Sequence, residues 1–190
     1  MKFQHENTNL GNKYSCTLKC NKCTAQNRSG RRCNNTVCIG TPVCHVHRKS
    51  LGLGVKVGNS RIPNAGKGLF ATKVFKEKET IGYYDGRDTT QAQLDNRYGV
   101  DSTAPYVIKG KDGIYLDSAC LRSLMSVANS GTSRVGRILP SNAAFSSKAK
   151  RDGTVRVRAT KRINVDDEIL IWYGEAYFRG MPFSRHSTKR

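Results

Sequence analysis

A mainly β fold of short strands with few short helices, preceded by a small metal-binding module, is predicted from three observations. Short apolar runs recur beyond Leu51: GLFATKVF, TIGYY, PYVIKG, GIYLD, TVRVRAT and EILIWYG. Each is rich in β-branched or aromatic side chains and bounded by Gly, Asp or Lys, which is how short strands read. In Val155-Arg156-Val157-Arg158-Ala159 apolar and charged residues alternate, as a strand with one buried face requires. Six of the seven cysteines fall between Cys16 and Cys44, away from these runs. Helical patterning is weak, and residues 90–98 and 118–128 are its best candidates.

With 190 residues the chain has room for one globular domain and a small appendage. Hydrophobic residues make up 37%, enough for one core, but no continuous run approaches the roughly 20 apolar residues of a membrane span. Residues 1–20 include Lys2, Gln4, His5, Glu6 and Asn7, so no secretory signal is read there and an intracellular protein is expected. The net charge of +19 calls for an acidic partner: nucleic acid, nucleosomes or anionic lipid. That charge is denser at the front, where nine basic residues and one acid lie within the first 50 positions.

Residues 1–15 read as a flexible N-terminal arm and residues 16–50 as a Cys/His module. In a reducing compartment disulfides rarely persist, so cysteines clustered beside histidines point to metal. Cys23, Cys33, Cys44 and His47 form the sharpest arrangement, because the Cys-Xaa-Xaa-His pair at its end lets two side chains meet one ion. Zinc suits thiolates and imidazole, and a segment this short cannot build a sufficient apolar core. His45 competes with His47, while Cys16, Cys20 and Cys38 are left as spares or as a second site. The stretch KCTAQNRSGRRCNNTVCIGTPVCHVHR also resembles a small zinc module recurrent in proteins of large DNA viruses.

Beyond Leu51 the motifs fall in a telling order. Ala65-Gly66-Lys67-Gly68-Leu69-Phe70-Ala71 is followed by Tyr84-Asp85-Gly86, then Gly113-Ile114-Tyr115-Leu116-Asp117, then the stretch around Asn129 and Pro140-Ser141-Asn142. The series ends with Ala159-Thr160-Lys161-Arg162-Ile163, Asp167-Glu168-Ile169-Leu170 and Tyr173-Gly174. Over residues 59–178 this order resembles a SET domain, the fold of a large class of protein lysine methyltransferases. The resemblance implies the β-clip fold of that family, with a knot-like C-terminal segment passing near the asparagines. Two departures stand out. Ser126-Val127-Ala128-Asn129-Ser130-Gly131 replaces the usual Arg-Phe-Ile-Asn-His-Ser, and no cysteine-rich segment follows the domain. Closure of the site is therefore expected from the basic tail, residues 179–190.

The same resemblance implies the site. Methyl transfer from S-adenosylmethionine to an amine is an in-line displacement that needs a neutral nitrogen held about 3 Å from the methyl carbon. Lysine arrives protonated, with an unperturbed pKa near 10.4, so an apolar channel must favour its neutral form. By position in the family pattern, Tyr173 is the catalytic residue together with Tyr84, and Tyr84, Phe145 and Ile171 line the channel. Gly66, Lys67, Gly68, Leu69, Asn129, Ser130 and Tyr173 bind the cofactor, and Asn142 supports the fold. Because Tyr83 precedes Tyr84, strand alternation must send one of these rings outward.

The function expected is that of an S-adenosylmethionine-dependent protein lysine N-methyltransferase with a zinc module at its front. Its implied substrate is a histone or another chromatin protein, and nucleosomal DNA is the implied partner of its basic surface. The implied location is the nucleus, the host's if the protein is viral. The alternative is a SET-like protein that binds zinc and nucleic acid without catalysing.

Overall fold

The computed structural model describes residues 2–7, 12–18, 20–26, 29–38, 43–44, 47, 52–100, 104–131, 139–149 and 153–174. Mainly β structure is what it contains, in short strands. At the front, β1 (Lys2–Asn7) pairs with β2 (Asn12–Thr17) as an antiparallel hairpin, where the sequence suggested a flexible arm. The run KFQHEN is too polar to announce a strand, and pairing with β2 satisfies its backbone instead. Cys16 is joined to Cys120 by a disulfide, which ties this hairpin to the body across 104 residues of sequence. A second disulfide joins Cys20 to Cys38. Cys16, Cys20 and Cys38 are therefore neither spare thiols nor a second metal site. The short strands β3 (Asn21–Lys22) and β4 (Thr36–Val37) pair within the cysteine-rich module, whose small core is Cys23, Val37, Val43 and Cys44.

The body consists of three small antiparallel sheets. In the first, β6 (Lys67–Ala71) lies between β5 (Val55–Asn59) and β13 (Glu168–Ile169). In the second, β12 (Val155–Ala159) lies between β7 (Thr80–Tyr84) and β11 (Ala143–Ala149). The third places β10 (Tyr115–Asp117) between β8 (Arg87–Thr89) and β9 (Val107–Lys109). Strand β12 shows why the alternation was readable. Val155, Val157 and Ala159 are buried in the common core, while Arg156 and Arg158 are exposed. Leu69, Phe75, Ile163, Ile169 and Ile171 complete the centre of that core, each almost wholly buried.

The helix expected at residues 90–98 is α1 (Gln91–Tyr98). Thr90 caps it: its hydroxyl accepts from the Gln93 N–H at 3.3 Å and the Gln93 side chain accepts from the Thr90 N–H at 2.9 Å, a reciprocal capping box. Leu94 and Tyr98 seat the helix on Ala119, and the Tyr98 hydroxyl donates to the buried carboxylate of Asp117, which also pairs with Arg97. The helix expected at residues 118–128 is reduced to a 3₁₀ turn at Met125–Val127. Serines explain the difference. The Ser118 hydroxyl donates to Leu121 O and accepts from Ser123 N, and the Ser126 hydroxyl donates to Ser123 O. Such local bonds offer the backbone an alternative to a helical ladder.

Residues 168–171 run between residues 129–131 and residues 139–143. Ile171 N donates to Asn129 O on one side, and Asn142 N and Ala143 N donate to Leu170 O on the other. Leu139 N donates to Gly131 O, drawing these two stretches together. Asn142 supports the fold as expected, accepting from Leu170 N at 2.9 Å and donating to Glu168 O at 2.8 Å. These bonds place Asn129, Ala128 and Tyr173 at one end of the core. The tail, residues 179–190, lies outside the described residues.

Candidate functional site

A cavity of about 170 Å³ opens where β7, β11 and the 3₁₀ turn converge. Pro105, Tyr106, Val107 and Ile108 form one wall and Met125, Ser126, Ala128 and Asn129 another, with Tyr84, Phe145 and Tyr173 between them. Strand alternation decides which tyrosine enters: Tyr84 is buried and Tyr83 is exposed. The Tyr84 and Phe145 rings meet edge to face, with centroids 5.5 Å apart. Such a pair makes an apolar wall in the edge-to-face arrangement that aromatic rings prefer.

The polar groups at this wall are few and oriented. Tyr84 Oη donates to Tyr106 O at 2.6 Å, and Tyr173 Oη donates to Ala128 O at 2.6 Å. Burial pushes the Tyr84 phenol well above the ordinary tyrosine range, and the neighbouring Tyr173 adds to the shift. Tyr84 is therefore a neutral hydroxyl at any physiological pH. Each phenol keeps oxygen lone pairs with which to accept a hydrogen bond. The cavity thus combines apolar walls suited to an aliphatic stem with hydroxyl and carbonyl oxygens suited to a nitrogen carrying hydrogens.

Of the residues expected to bind a cofactor, Asn129 and Tyr173 line this cavity, while Gly66, Lys67, Gly68, Leu69 and Ser130 lie outside its wall. Asn129 links the two regions, its Nδ2 donating to Lys67 O at 2.8 Å. Gly66 has φ +70°, a backbone that favours glycine, and its carbonyl accepts from Ser60 N. Gly68 is required by a close approach. A Cβ there would lie 2.3 Å from Glu168 Oε1. Lys67 is exposed and its ammonium donates to Asn59 Oδ1, whereas the Leu69 side chain is fully buried in the core. Ile171, expected in the channel, also has its side chain in the core and does not line the cavity.

Two residues with evident roles escaped sequence reasoning. Tyr106 adopts φ +63°, and its carbonyl accepts from both Tyr84 Oη and Ser118 N, while the Arg122 guanidinium lies 3.4 Å from its ring centroid. The apolar run around it was legible as a strand, but this backbone conformation leaves no mark in the sequence. In the sequence Glu168 stands out only as part of a terminal motif. Its buried carboxylate accepts from Ser60 Oγ at 2.6 Å and Arg61 N at 2.7 Å, fixing the turn before β6 against β13.

The second site is the Cys/His cluster. The ligating atoms of Cys23, Cys33, Cys44 and His47 all lie within 4.8 Å of one another. Cys33 Sγ and Cys44 Sγ are 3.9 Å apart, and His47 Nδ1 is 3.4 Å from Cys44 Sγ and 3.6 Å from Cys23 Sγ. Zinc bond lengths of about 2.3 Å to sulfur and about 2.0–2.1 Å to nitrogen give tetrahedral edges of about 3.8 Å and about 3.6 Å. The four donors therefore fit zinc in both chemistry and size. Cys44 N donates to Cys23 Sγ and Asn35 Nδ2 to Cys44 Sγ, orienting the thiolates. The structure brings His47 into this set, and His45 lies outside the described residues. Four protein donors would leave a bound ion no open position, the arrangement of structural rather than catalytic zinc.

The SET domain family matches residues 66–174, more than half of the chain. Among solved structures, an active polycomb repressive complex 2 in the stimulated state is similar at 22% identity and a TM-score of 0.52, over 63% of this chain and 15% of that one. Polycomb repressive complex 2 of Chaetomium thermophilum is similar at 21% identity and a TM-score of 0.50, over 72% and 16%. An autoinhibited form described as ctPRC2 bound to S-adenosylmethionine matches 85% of this chain and 24% of its own, at 19% identity and a TM-score of 0.51. The chain spans less than a quarter of the length of each of these proteins. Among curated proteins no sequence matches.

Proposed function

Because this chain belongs to the SET-domain family, we propose that it is an S-adenosylmethionine-dependent protein lysine N-methyltransferase acting on a histone or another chromatin protein. The observation that carries this reading is the cavity where Tyr84, Phe145 and Tyr173 enclose an apolar slot beside the carbonyls of Tyr106 and Ala128. One further feature suits a cofactor. Ser130 is 5% exposed and its hydroxyl is a buried polar atom with no partner among the described residues, next to the Asn129 that binds the Gly66–Gly68 region. A buried hydroxyl left unpaired costs about 1–3 kcal/mol, which a polar ligand at this place would recover. The residues that would hold the cofactor are Gly66 to Leu69, Asn129 and Ser130.

S-adenosylmethionine, when bound, supplies an electrophilic methyl group on a positively charged sulfur. The chain's own residues supply position. Tyr84 and Phe145 exclude water from the stem of the target lysine, and that desolvation favours the neutral amine. The Tyr173 hydroxyl, fixed by its bond to Ala128 O, orients the nitrogen for in-line attack. The metal site stands apart from this chemistry and serves the fold of the front module.

Gly68→Val tests the cofactor half of the reading. Its side chain must displace Glu168, and with it the turn at Ser60 and Arg61. Affinity for S-adenosylmethionine by calorimetry is expected to fall at least about tenfold, or about 1.4 kcal/mol. Unchanged affinity would separate this strand from the cofactor. The alternative, a SET-like protein that binds without catalysing, draws on Ser130 standing where the family has histidine, and wild-type protein that binds no cofactor in the same calorimetry would favour it.

Substrate class is a question of charge. A chain of net charge +19 repels a free basic tail, so attraction must come from an anion carried with the substrate. Nucleosomal DNA can supply it, and the location that follows is nuclear. Nucleosomes are expected to be methylated faster than free histone at low salt, with the advantage shrinking as salt rises. Because Phe145 brings no hydroxyl to the channel, dimethyl- and trimethyl-lysine are expected by mass spectrometry. Equal rates on both substrates at every salt concentration would overturn the first expectation, and exclusively monomethyl product the second.

A further inference from the structure

Strand β12 turns Arg156 and Arg158 outward while its valines enter the core. Across the sheet, Arg156 stands opposite Tyr83 and Arg158 opposite Thr80 on β7, and on the other side Arg156 Nε donates to Ser146 Oγ of β11. The outward face of this sheet is therefore arginine, hydroxyl and an exposed tyrosine. It continues onto an adjoining surface. The turn before β7 is held against the end of β12 by Lys78 N to Ala159 O and against the segment after it by reciprocal bonds between Phe75 and Ile163. This contact brings the exposed Lys76 and Lys78 beside the exposed Lys161 and Arg162.

Six cations thus share one strip, and the acids around it do little to neutralise them. Glu79 pairs with Lys73 and Asp166 with Lys56, leaving Glu77 as the exposed acid on the same turn. No salt bridge among the described residues engages Arg156, Arg158, Lys161 or Arg162. Holding so much like charge together on a rigid sheet is unfavourable in isolation, and a polyanion with regularly spaced charges relieves it. Ser146, whose hydroxyl sits beside Arg156, carries a group of the kind that contacts phosphate oxygens. Tyr84 and Phe145, neighbours of Tyr83 and Ser146 in sequence, point to the opposite face and line the cavity. A polymer lying on the strip leaves the cavity open.

The geometry points to this face, from Tyr83 and Arg156 to Lys161, as the surface on which the protein binds the phosphate backbone of duplex DNA. The inference deepens the chromatin reading by naming where the DNA lies, and its test involves no methyl donor, so it succeeds or fails apart from catalysis.

The experiment is fluorescence anisotropy of the full chain with a short mixed-sequence DNA duplex, from about 50 to about 200 mM salt. Lys78→Gln/Arg158→Gln/Lys161→Gln removes three exposed charges that form no salt bridge among the described residues, and thermal melting is expected to be unchanged. The slope of log affinity against log salt is expected to become shallower by up to about 2.7, at about 0.9 for each phosphate that is no longer neutralised. Lys109→Gln/Lys111→Gln, on the β9–β10 hairpin, serves as the control for net charge, and its slope is expected to stay near that of the wild type. Arg156→Gln alone should make the slope shallower by about 0.9. The proposal is overturned if the triple variant keeps the wild-type slope, if the control loses as much for each charge removed, or if wild-type protein binds phosphatidylserine vesicles and not the duplex.

Discussion

Tyr173→Phe is expected to lower methyl-transfer turnover by about 10²–10³-fold, the range found when one oriented hydrogen-bonding group is removed from a reacting centre. The ring packs against the common core and remains in the variant, so the cavity keeps its wall. What disappears is the hydroxyl held 2.6 Å from Ala128 O. Binding of S-adenosylmethionine, measured by calorimetry, is expected to change less than about threefold, under about 1 kcal/mol. A loss of cofactor affinity matching the loss of rate would assign Tyr173 to binding instead. Tyr84→Phe offers an internal comparison. Tyr106 O loses one donor but keeps the Ser118 N–H at 2.8 Å, so the wall should stay in place and the rate effect should be smaller.

Much of this site was legible because strand periodicity is a local signal. Alternation in β12 separated the arginines from the core, and the same rule required one of Tyr83 and Tyr84 to face inward. The order of short motifs then carried Tyr173, Asn129 and Asn142 to their places. What stayed hidden depends on contacts distant in sequence or on unusual backbone. Glu168 matters because Ser60 and Arg61 come to it from more than 100 residues away. Tyr106 matters through its carbonyl, a group every residue has. Strands β5 and β11 were missed because VKVGN is interrupted by glycine and AAFSSKA is built from small and polar residues. The 118–128 stretch misled because its apolar spacing is helical while its serine hydroxyls bond the nearby backbone. Cysteine pairing was equally illegible, since nothing near Cys16 names Cys120 as its partner.

That pairing sharpens the expected effect of breaking the metal site. One zinc ion per chain is expected, and Cys44→Ser should abolish it. Cys44 touches each of the other donors, with its Sγ 3.9 Å from Cys33 Sγ and 3.4 Å from His47 Nδ1 and its backbone N–H on Cys23 Sγ. Structural zinc contributes about 10–16 kcal/mol of apparent binding free energy in small modules, comparable with or larger than the roughly 5–15 kcal/mol by which whole domains are stable. The module's own apolar core, with Val37 and Val43 beside two of the ligands themselves, cannot replace such a term. Loss of the ion should therefore unfold the module, while the body melts as before because its core is built from other residues. The four remaining cysteines are paired as Cys16–Cys120 and Cys20–Cys38, so while these disulfides are formed none is available to substitute as a ligand. Mutating those four to serine should leave zinc content near one per chain. Zinc content by elemental analysis that survives both Cys33→Ser and Cys44→Ser, or that falls to nothing when only the four disulfide cysteines are changed, would overturn the assignment. Acid should mimic the ligand variants, since thiolates and imidazole must be deprotonated to bind, and zinc retention is expected to fall as pH is lowered.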